Sequence, residues 1–202
     1  MNNIPGYIYP QEVVELANLA KTIKSGNIVE LGSYLGKSAS IFASMSGSGT
    51  TVYCVDLWDN QAMPGGTRDT YTEFLKNIEP WKDRIIPIRA NTHDEKFQTI
   101  PAIDFSEGML EIDLLFIDGD HSYEGCLADL KCWYSRVKPG AKIVLHDYTE
   151  TAPGCGVKQA ADEFFSNFKP KESRISCSLL VVTIGKSGRK NDRIYNKTQI
   201  LF

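Results

Sequence analysis

Apolar residues along the chain alternate between short continuous runs and longer stripes with helical spacing. The short runs predict strands at 27–31, 51–56, 85–89, 112–118, 142–147 and 179–184, with a possible short strand at 174–178. The stripes predict helices at 10–24, 39–45, 70–78, 123–137 and 156–168, and a shorter helical piece at 92–97. Strands that alternate with helices are typical of an α/β fold, a mostly parallel sheet with helices on both faces.

Two of these runs also predict where their strands lie in the sheet. The run at 112–118 is the most apolar and therefore predicts a central strand, buried on both faces. Pro87 interrupts the run at 85–89, and a residue without an N–H favours an edge strand. The chain of 202 residues has no linker or repeat, so we expect a single domain, 1–202, with an N-terminal helical segment at 1–26 and a polar tail at 185–202.

Composition excludes several classes of function. A formal net charge of −3 and a pI near 5.7 give no general attraction to nucleic acid or to anionic membranes. No run of 18 apolar residues predicts a membrane span, and the first residues do not resemble a signal peptide. The five cysteines contain no C-x-x-C pair and are expected to be reduced thiols. We therefore expect a cytoplasmic protein with a small-molecule partner, and neither a nucleic acid nor a membrane.

The candidate binding site begins at the first predicted strand. Asn27 to Ser38 predicts a short buried strand, a glycine-bearing turn and the start of a helix, with Glu30 at the end of the strand. Backbone N–H groups and a helix N-terminus converge at such a turn, where open α/β sheets bind small molecules. Asp56 ends the second strand about 20–25 residues later, which suits a carboxylate that binds a ribose hydroxyl.

Three cofactors compete for this turn. A nicotinamide dinucleotide site needs G-x-G-x-x-G, and the middle glycine is absent between Gly32 and Gly36. A P-loop needs four residues between its first glycine and Gly-Lys-Ser, one more than this turn has, and Glu30 would repel a pyrophosphate. S-adenosylmethionine carries no phosphate, and Glu30 would attract its ammonium group. The residues therefore favour S-adenosylmethionine.

Three motifs in chain order resemble a known family. Val29 to Ser38 resembles the first motif of class I S-adenosylmethionine-dependent methyltransferases, and Asp56-Leu57-Trp58 resembles the second. Ile117 to Tyr123 and Leu145 to Tyr148 resemble the subgroup that contains macrocin-type O-methyltransferases and cephalosporin-hydroxylase-like proteins. The resemblance implies a Rossmann-like, mostly parallel seven-stranded sheet and a homodimer. It implies that the cofactor is bound by Glu30, Gly32, Ser33, Tyr34, Gly36, Ser38, Asp56, Leu57, Trp58, Asn91 and Asp118.

Two of these cofactor contacts have structural alternatives. Trp58 either covers the adenine or packs in the core, and a tryptophan is as often found in the second role. Asn91 follows the third strand, where the family contacts adenine, but an asparagine there is equally suited to forming a turn.

A candidate metal site follows from two predicted strand ends. Asp118 and Asp147 end neighbouring strands of the family's sheet, about 5 Å apart, and would repel one another without a cation. Mg²⁺ would bind such oxygen ligands and could hold a substrate hydroxyl. The resemblance implies Asp118 and Asp147 as ligands, assisted by His146. Several relatives carry an acid at position 146, and imidazole suits softer ions, so the identity of the metal stays open; alternatively, Asp118 only orients the cofactor and His146 packs at a strand end.

His121 is the candidate general base. It follows Asp118 by three residues, the offset at which metal-dependent O-methyltransferases carry a lysine or histidine base, and its ordinary pKa suits removal of a hydroxyl proton. Asp118 and His121 are therefore the predicted catalytic pair; alternatively, His121 caps the following helix or binds substrate. His93 has no partner in the sequence pattern and is predicted to be a surface residue.

These features together predict a methyltransferase that transfers a methyl group to a hydroxyl of a small molecule, with a divalent metal assisting. Sugar, polyketide and phenolic acceptors all fit, and the residues at 60–70, 149–157 and the N-terminal segment are expected to form the acceptor's walls. A catalytically silent S-adenosylmethionine-binding subunit or sensor is the alternative that His146 favours. An NAD-dependent dehydrogenase is disfavoured by the missing glycine.

Overall fold

The computed structural model describes residues 4–60, 66–93 and 110–185, which form a seven-stranded sheet flanked by helices. The strands lie in the order β3-β2-β1-β4-β5-β7-β6, parallel from β3 to β5, with β7 antiparallel to both of its neighbours. The predicted α/β fold with seven strands is confirmed, with β4 at the centre and β3 at an edge. The strands are β1 Ser25–Leu31, β2 Gly49–Asp56, β3 Ile85–Arg89, β4 Ile112–Ile117, β5 Val137–Leu145, β6 Glu172–Ser176 and β7 Leu179–Thr183.

Helices cover both faces of this sheet because alternate residues of each strand point to opposite sides. On β1, Ile28 packs with the first three helices, whereas Val29 and Leu31 pack with the last two. This burial on both faces explains the continuous apolar run of the central strand. Among the described residues, the helices are α1 Pro10–Thr22, α2 Lys37–Met45, α3 Tyr71–Ile78, α4 Tyr123–Trp133 and α5 Val157–Asn167, with short 3-10 turns at Glu79–Trp81 and Tyr134–Arg136.

The structure corrects the predicted boundary between the fourth helix and β5. The helix expected at 123–137 ends at Trp133, and β5 begins at Val137 instead of 142, so Lys138-Pro139-Gly140 lies inside the strand. Pro139 is tolerated there because the pairing of β5 with β4 shifts register between Ile112 and Leu114, an irregularity where a missing N–H costs little. Similarly, α1 ends at Thr22, so Ser25 and Gly26 begin β1.

Some predictions fall wholly or partly outside the described residues. Of the helical piece expected at 92–97, only positions 92 and 93 are described, and they form a turn. The polar tail lies outside the described residues except for Gly185. Within the described part of the chain, no helix has both the length and the apolar character that a membrane crossing requires.

Candidate functional site

A cleft of about 800 Å³ opens at the carboxyl ends of the parallel strands. This is the edge at which open α/β sheets bind ligands. The glycine turn after β1 and the segments after β2, β3, β4 and β5 all contribute to its wall, and residues 5–8 of the N-terminal segment also line it. Residues 59, 60, 70 and 154 lie on the wall as well, within or beside the loops expected to surround the acceptor.

The glycine turn after β1 brings the backbone close to the end of β4. Gly32 has φ +82°, and an added Cβ would lie 2.2 Å from the Asp118 carbonyl oxygen. Only glycine combines that conformation with such a close approach. Gly36 also has a positive φ, +88°, and begins α2. The turn therefore needs glycine at both predicted positions.

Asp56 holds this turn in place. Its Oδ2 accepts hydrogen bonds from the backbone N–H groups of Ser33 (2.7 Å) and Tyr34 (2.8 Å), and its Oδ1 accepts one from the Trp58 N–H (2.6 Å). A carboxylate offers about four acceptor sites, so a ligand hydroxyl can still be accepted on the cleft side. The sequence motif predicted only the ligand contact of Asp56 and not these three hydrogen bonds to the backbone.

The predicted cofactor residues divide into those on the wall and those behind it. Trp58 is 1% exposed; its Nε1 donates to the Tyr34 carbonyl (2.9 Å), and its ring packs 4.7 Å from that of Phe74. The structure thus places Trp58 in the core, where it does not line the cleft. Glu30 and Gly36 likewise lie behind the wall. The wall itself carries Gly32, Ser33, Tyr34, Ser38, Asp56, Leu57, Asn91 and Asp118.

Glu30 is a fully buried carboxyl group beneath the turn. Within the described residues, neither of its oxygens has a partner with hydrogen-bond geometry, although Ser33, Ser38 and Cys54 are near enough to lower its pKa. Burial outweighs them and raises the pKa of Glu30 from 4.5 to about 7. The turn is too short to form a full phosphate-binding loop, and the acid beneath it has no partner. Both features favour a ligand with a cationic group, such as S-adenosylmethionine, over one with a pyrophosphate.

Three side chains at the ends of β4 and β5 can offer ligand atoms to one cation. Such atoms of Asp118, His121 and Asp147 all lie within 4.8 Å of one another. His121 Nε2 is 3.3 Å from Asp118 Oδ1, and its Nδ1 is 3.8 Å from Asp147 Oδ2. The hydrogen bond with Asp118 raises the pKa of His121 above its ordinary 6.5. This mixed oxygen and nitrogen set suits a divalent cation, and the general base predicted from the sequence belongs to it.

His146 lies next to this cluster and also lines the cleft, although it is only 3% exposed. Its Nδ1 is 3.1 Å from Asp118 Oδ1 and 3.2 Å from Asp147 Oδ1, close contacts that lack hydrogen-bond geometry. Burial lowers the pKa of His146, but the two carboxylates raise it further, to about 11. A positively charged imidazole relieves the repulsion between the two carboxylates. His146 therefore supplies part of the positive charge for which the sequence predicted a metal ion. The role of His146 as a metal ligand stays a prediction.

The sequence pattern missed two buried acids that hold histidines. His93 lines the cleft, and its Nδ1 lies 3.4 Å from Oδ1 of the fully buried Asp129 on α4. Burial raises the pKa of Asp129 to about 6. The expectation that His93 is a surface residue without a partner is therefore wrong. Glu12 on α1 is likewise fully buried and contacts His146. In both cases the signal was an acidic residue within a helical apolar stripe.

The cleft and fold together define a class I methyltransferase fold. A family described as a methyltransferase domain matches residues 29–148, which include the glycine turn and both predicted carboxylates. The chain belongs to this family, so the predicted membership of the S-adenosylmethionine-dependent methyltransferases is confirmed.

Solved structures share this fold. The O-methyltransferase NovP superposes with a TM-score of 0.70 at 16% identity, covering 87% of this chain and 80% of NovP. The O-methyltransferase of Bacillus cereus, in complex with SAH, gives 0.66 at 18% identity, covering 91% and 85%. These are likenesses of fold. An uncharacterized protein of Sinorhizobium fredii (strain NBRC 101917 / NGR234) is 26% identical over 152 residues. That match covers 70% of this chain, but only 15% of the length of the relative.

Proposed function

We propose that this chain is an S-adenosylmethionine-dependent O-methyltransferase that acts on a hydroxyl group of a small molecule with a divalent cation assisting. The observation that carries the proposal is the cluster of Asp118, His121 and Asp147 in the same cleft as the glycine turn. The fold likeness to two O-methyltransferases, NovP and the Bacillus cereus enzyme, supports transfer to oxygen. The proposal includes a cytoplasmic protein that binds neither nucleic acid nor membrane and that forms a homodimer.

Each part of the cleft has a task in this reaction. S-adenosylmethionine supplies an activated methyl group on a sulfonium, so the protein mainly has to place the acceptor oxygen in line with it. The glycine turn and Asp56 would hold the cofactor, whose positive charge would favour the ionised form of Glu30 below the turn. Asp118 and Asp147 would hold Mg²⁺ or a similar ion, which lowers the pKa of a hydroxyl bound to it.

His121 would accept the acceptor's proton. Its side chain is 42% exposed toward the cleft, and both of its ring nitrogens lie near the carboxylates. The N-terminal segment would shield the reaction from water. Its Tyr7 ring packs 6.1 Å from that of Tyr34, and its Gly6 carbonyl accepts a hydrogen bond from Lys37 Nζ at 3.2 Å.

A cofactor-binding subunit or sensor without catalytic activity is the second candidate. The observation that favours it is His146, a buried imidazole that already neutralises part of the charge on Asp118 and Asp147. On this alternative, S-adenosylhomocysteine binds but no divalent ion does. Binding of Mn²⁺, followed by electron paramagnetic resonance with and without S-adenosylhomocysteine, therefore separates the two candidates.

Replacing His121 tests the catalytic assignment. We expect His121→Ala to abolish transfer of labelled methyl groups to a panel of sugar, polyketide and phenolic hydroxyls, while S-adenosylhomocysteine affinity stays within a few-fold. Wild-type transfer should rise with pH through the raised pKa of His121, because only the neutral imidazole accepts a proton. Glu79→Gln, an exposed change beside Lys82, is the matched control and should behave as wild type. Full activity of His121→Ala would remove His121 as the base.

A further inference from the structure

Glu12 is a buried acid that the reaction as described does not use. It lies in the first turn of α1, on the same face as Leu16 and Leu19, and is completely inaccessible to solvent. Burying a carboxylate is costly unless it is paired and hydrogen-bonded, so its partners indicate what it does. Glu12 completes a capping box with Tyr9 at the start of α1, but a capping residue does not need to be buried.

Three segments of the chain present hydrogen-bond donors to the Glu12 carboxylate. Oε2 accepts a hydrogen bond from the Tyr9 backbone N–H at 2.9 Å and lies 3.2 Å from His146 Nε2. Oε1 accepts one from the Ser178 N–H at 3.2 Å and one from the Ser178 hydroxyl. Both oxygens of an ionised Glu12 can only accept hydrogen bonds, and the Tyr9 and Ser178 groups all donate to them. The contact with His146 is therefore a hydrogen bond only when Nε2 of His146 also carries a proton.

The opposite side of the His146 ring faces the candidate site. Its Nδ1 is buried without a hydrogen-bond partner among the described residues, and it points between Asp118 and Asp147 at 3.1 and 3.2 Å. We propose that Glu12 is a positioning residue that holds the His146 ring by its Nε2–H and thereby turns Nδ1 toward these two carboxylates. This orientation of the ring does not depend on the proposed function. Only its consequence does, namely that Asp118 and Asp147 are held in position to bind a cation.

The Glu12 carboxylate also connects the N-terminal segment, which lines the cleft, to His146 at the candidate site. Tyr9 follows directly after residues 5–8, which line the cleft, and its N–H shares Oε2 of Glu12 with His146. The N-terminal segment and the imidazole therefore have one common anchor. Groups that orient metal-binding side chains from behind typically change metal affinity about 10–100-fold when they are removed.

The test is to find which nitrogen of His146 carries a proton. The chain has three histidines, so long-range ¹H–¹⁵N spectra of ¹⁵N-histidine-labelled protein can be assigned with His93→Gln and His121→Gln variants. In wild type we expect a slowly exchanging Nε2–H on His146. In Glu12→Gln, an amide N–H facing the ring should remove the proton from Nε2 and leave one on Nδ1. Glu15→Gln is the matched control on the same helix, because Glu15 pairs with Arg174 and does not touch His146.

The outcomes separate this proposal from the proposed function. An unprotonated Nε2 in wild type, or the same His146 shifts in Glu12→Gln as in Glu15→Gln, would overturn the positioning role. If Glu12→Gln fails to fold, the wild-type spectrum alone decides. Mn²⁺ binding, read by electron paramagnetic resonance, should change about tenfold or more in Glu12→Gln and stay unchanged in Glu15→Gln. If wild type binds no Mn²⁺ but Glu12→Gln alters the His146 spectrum, the metal part of the proposed function fails and the positioning role stands.

Discussion

Asp56 shows that one residue can serve both the fold and the site. A sequence motif assigns it to a ribose, yet its carboxylate also accepts three backbone hydrogen bonds around the glycine turn and Trp58. We therefore expect Asp56→Ala to weaken S-adenosylhomocysteine binding by about 1–3 kcal/mol and to lower the free energy of unfolding by a similar amount. Calorimetric titration and urea unfolding measure the two effects.

The control for Asp56 is Asp69→Ala. Asp69 accepts one exposed hydrogen bond from the Tyr71 N–H and lies 3.6 Å from Arg89, so its loss should change stability little and binding not at all. If Asp56→Ala is destabilised but binds S-adenosylhomocysteine as wild type does, the carboxylate supports the turn and does not contact the ligand.

Glu30 makes the stability of the ligand-free protein depend on pH. Its pKa is raised from 4.5 to about 7 in the folded state, so folding keeps a proton on it between those values. This contribution is fully present below pH 4.5 and is lost as the pH rises through 7, a change of about 3 kcal/mol. Glutamine stays neutral throughout. We expect the unfolding free energy of Glu30→Gln, minus that of wild type, to grow by this amount between pH 4 and 8 in urea titrations, whereas a constant difference would contradict the raised pKa.

At the scale of the elements, the turn after β1 can lie close to the end of β4 only because Gly32 has no side chain. Gly32→Ala would place a Cβ against the Asp118 carbonyl in addition to straining a positive φ, whereas Gly140→Ala has the same strain, φ +87°, with nothing within 4 Å. We expect Gly140→Ala to cost about 1 kcal/mol of stability and Gly32→Ala clearly more, with loss of S-adenosylhomocysteine binding. Equal losses in the two variants would mean that strain alone, and not the close approach, requires the glycine.

The elements themselves were largely readable from the sequence, because buried parallel strands give continuous apolar runs and their helices give clear stripes. What the sequence could not supply were contacts between residues far apart in the chain. Trp58 packs in the core against Tyr34 and Phe74, and Glu12 meets His146 only after α1 docks on the sheet. The irregular pairing of β5 with β4 could likewise not be predicted, because Pro139-Gly140 normally indicates a turn and not a strand.

At the scale of the whole molecule, the sheet concentrates unbalanced charge at one edge. Three carboxylates line one cleft near the carboxyl ends of the parallel strands, those of Asp56, Asp118 and Asp147. The buried carboxyl group of Glu30 lies beneath the glycine turn, where its raised pKa keeps it largely protonated below pH 7. His121 and His146 balance part of this charge through their contacts with Asp118 and Asp147. A cationic ligand or a divalent ion bound there relieves the remaining repulsion, and its binding energy adds to the stability of the entire fold.

Thermal unfolding with different ligands reports this linkage directly. A ligand at about 100 times its Kd adds about 2.7 kcal/mol, which raises the Tm of a chain of this size by about 5–10 °C. We expect that shift with S-adenosylmethionine and S-adenosylhomocysteine, none with NAD or ATP, and a further rise when Mg²⁺ is added. Asp147→Asn should lose the Mg²⁺ increment and keep the adenosyl one, because only the candidate ion site is altered. A shift with NAD or ATP instead would show that the cleft binds a phosphate-bearing cofactor, and it would contradict the proposed methyl transfer.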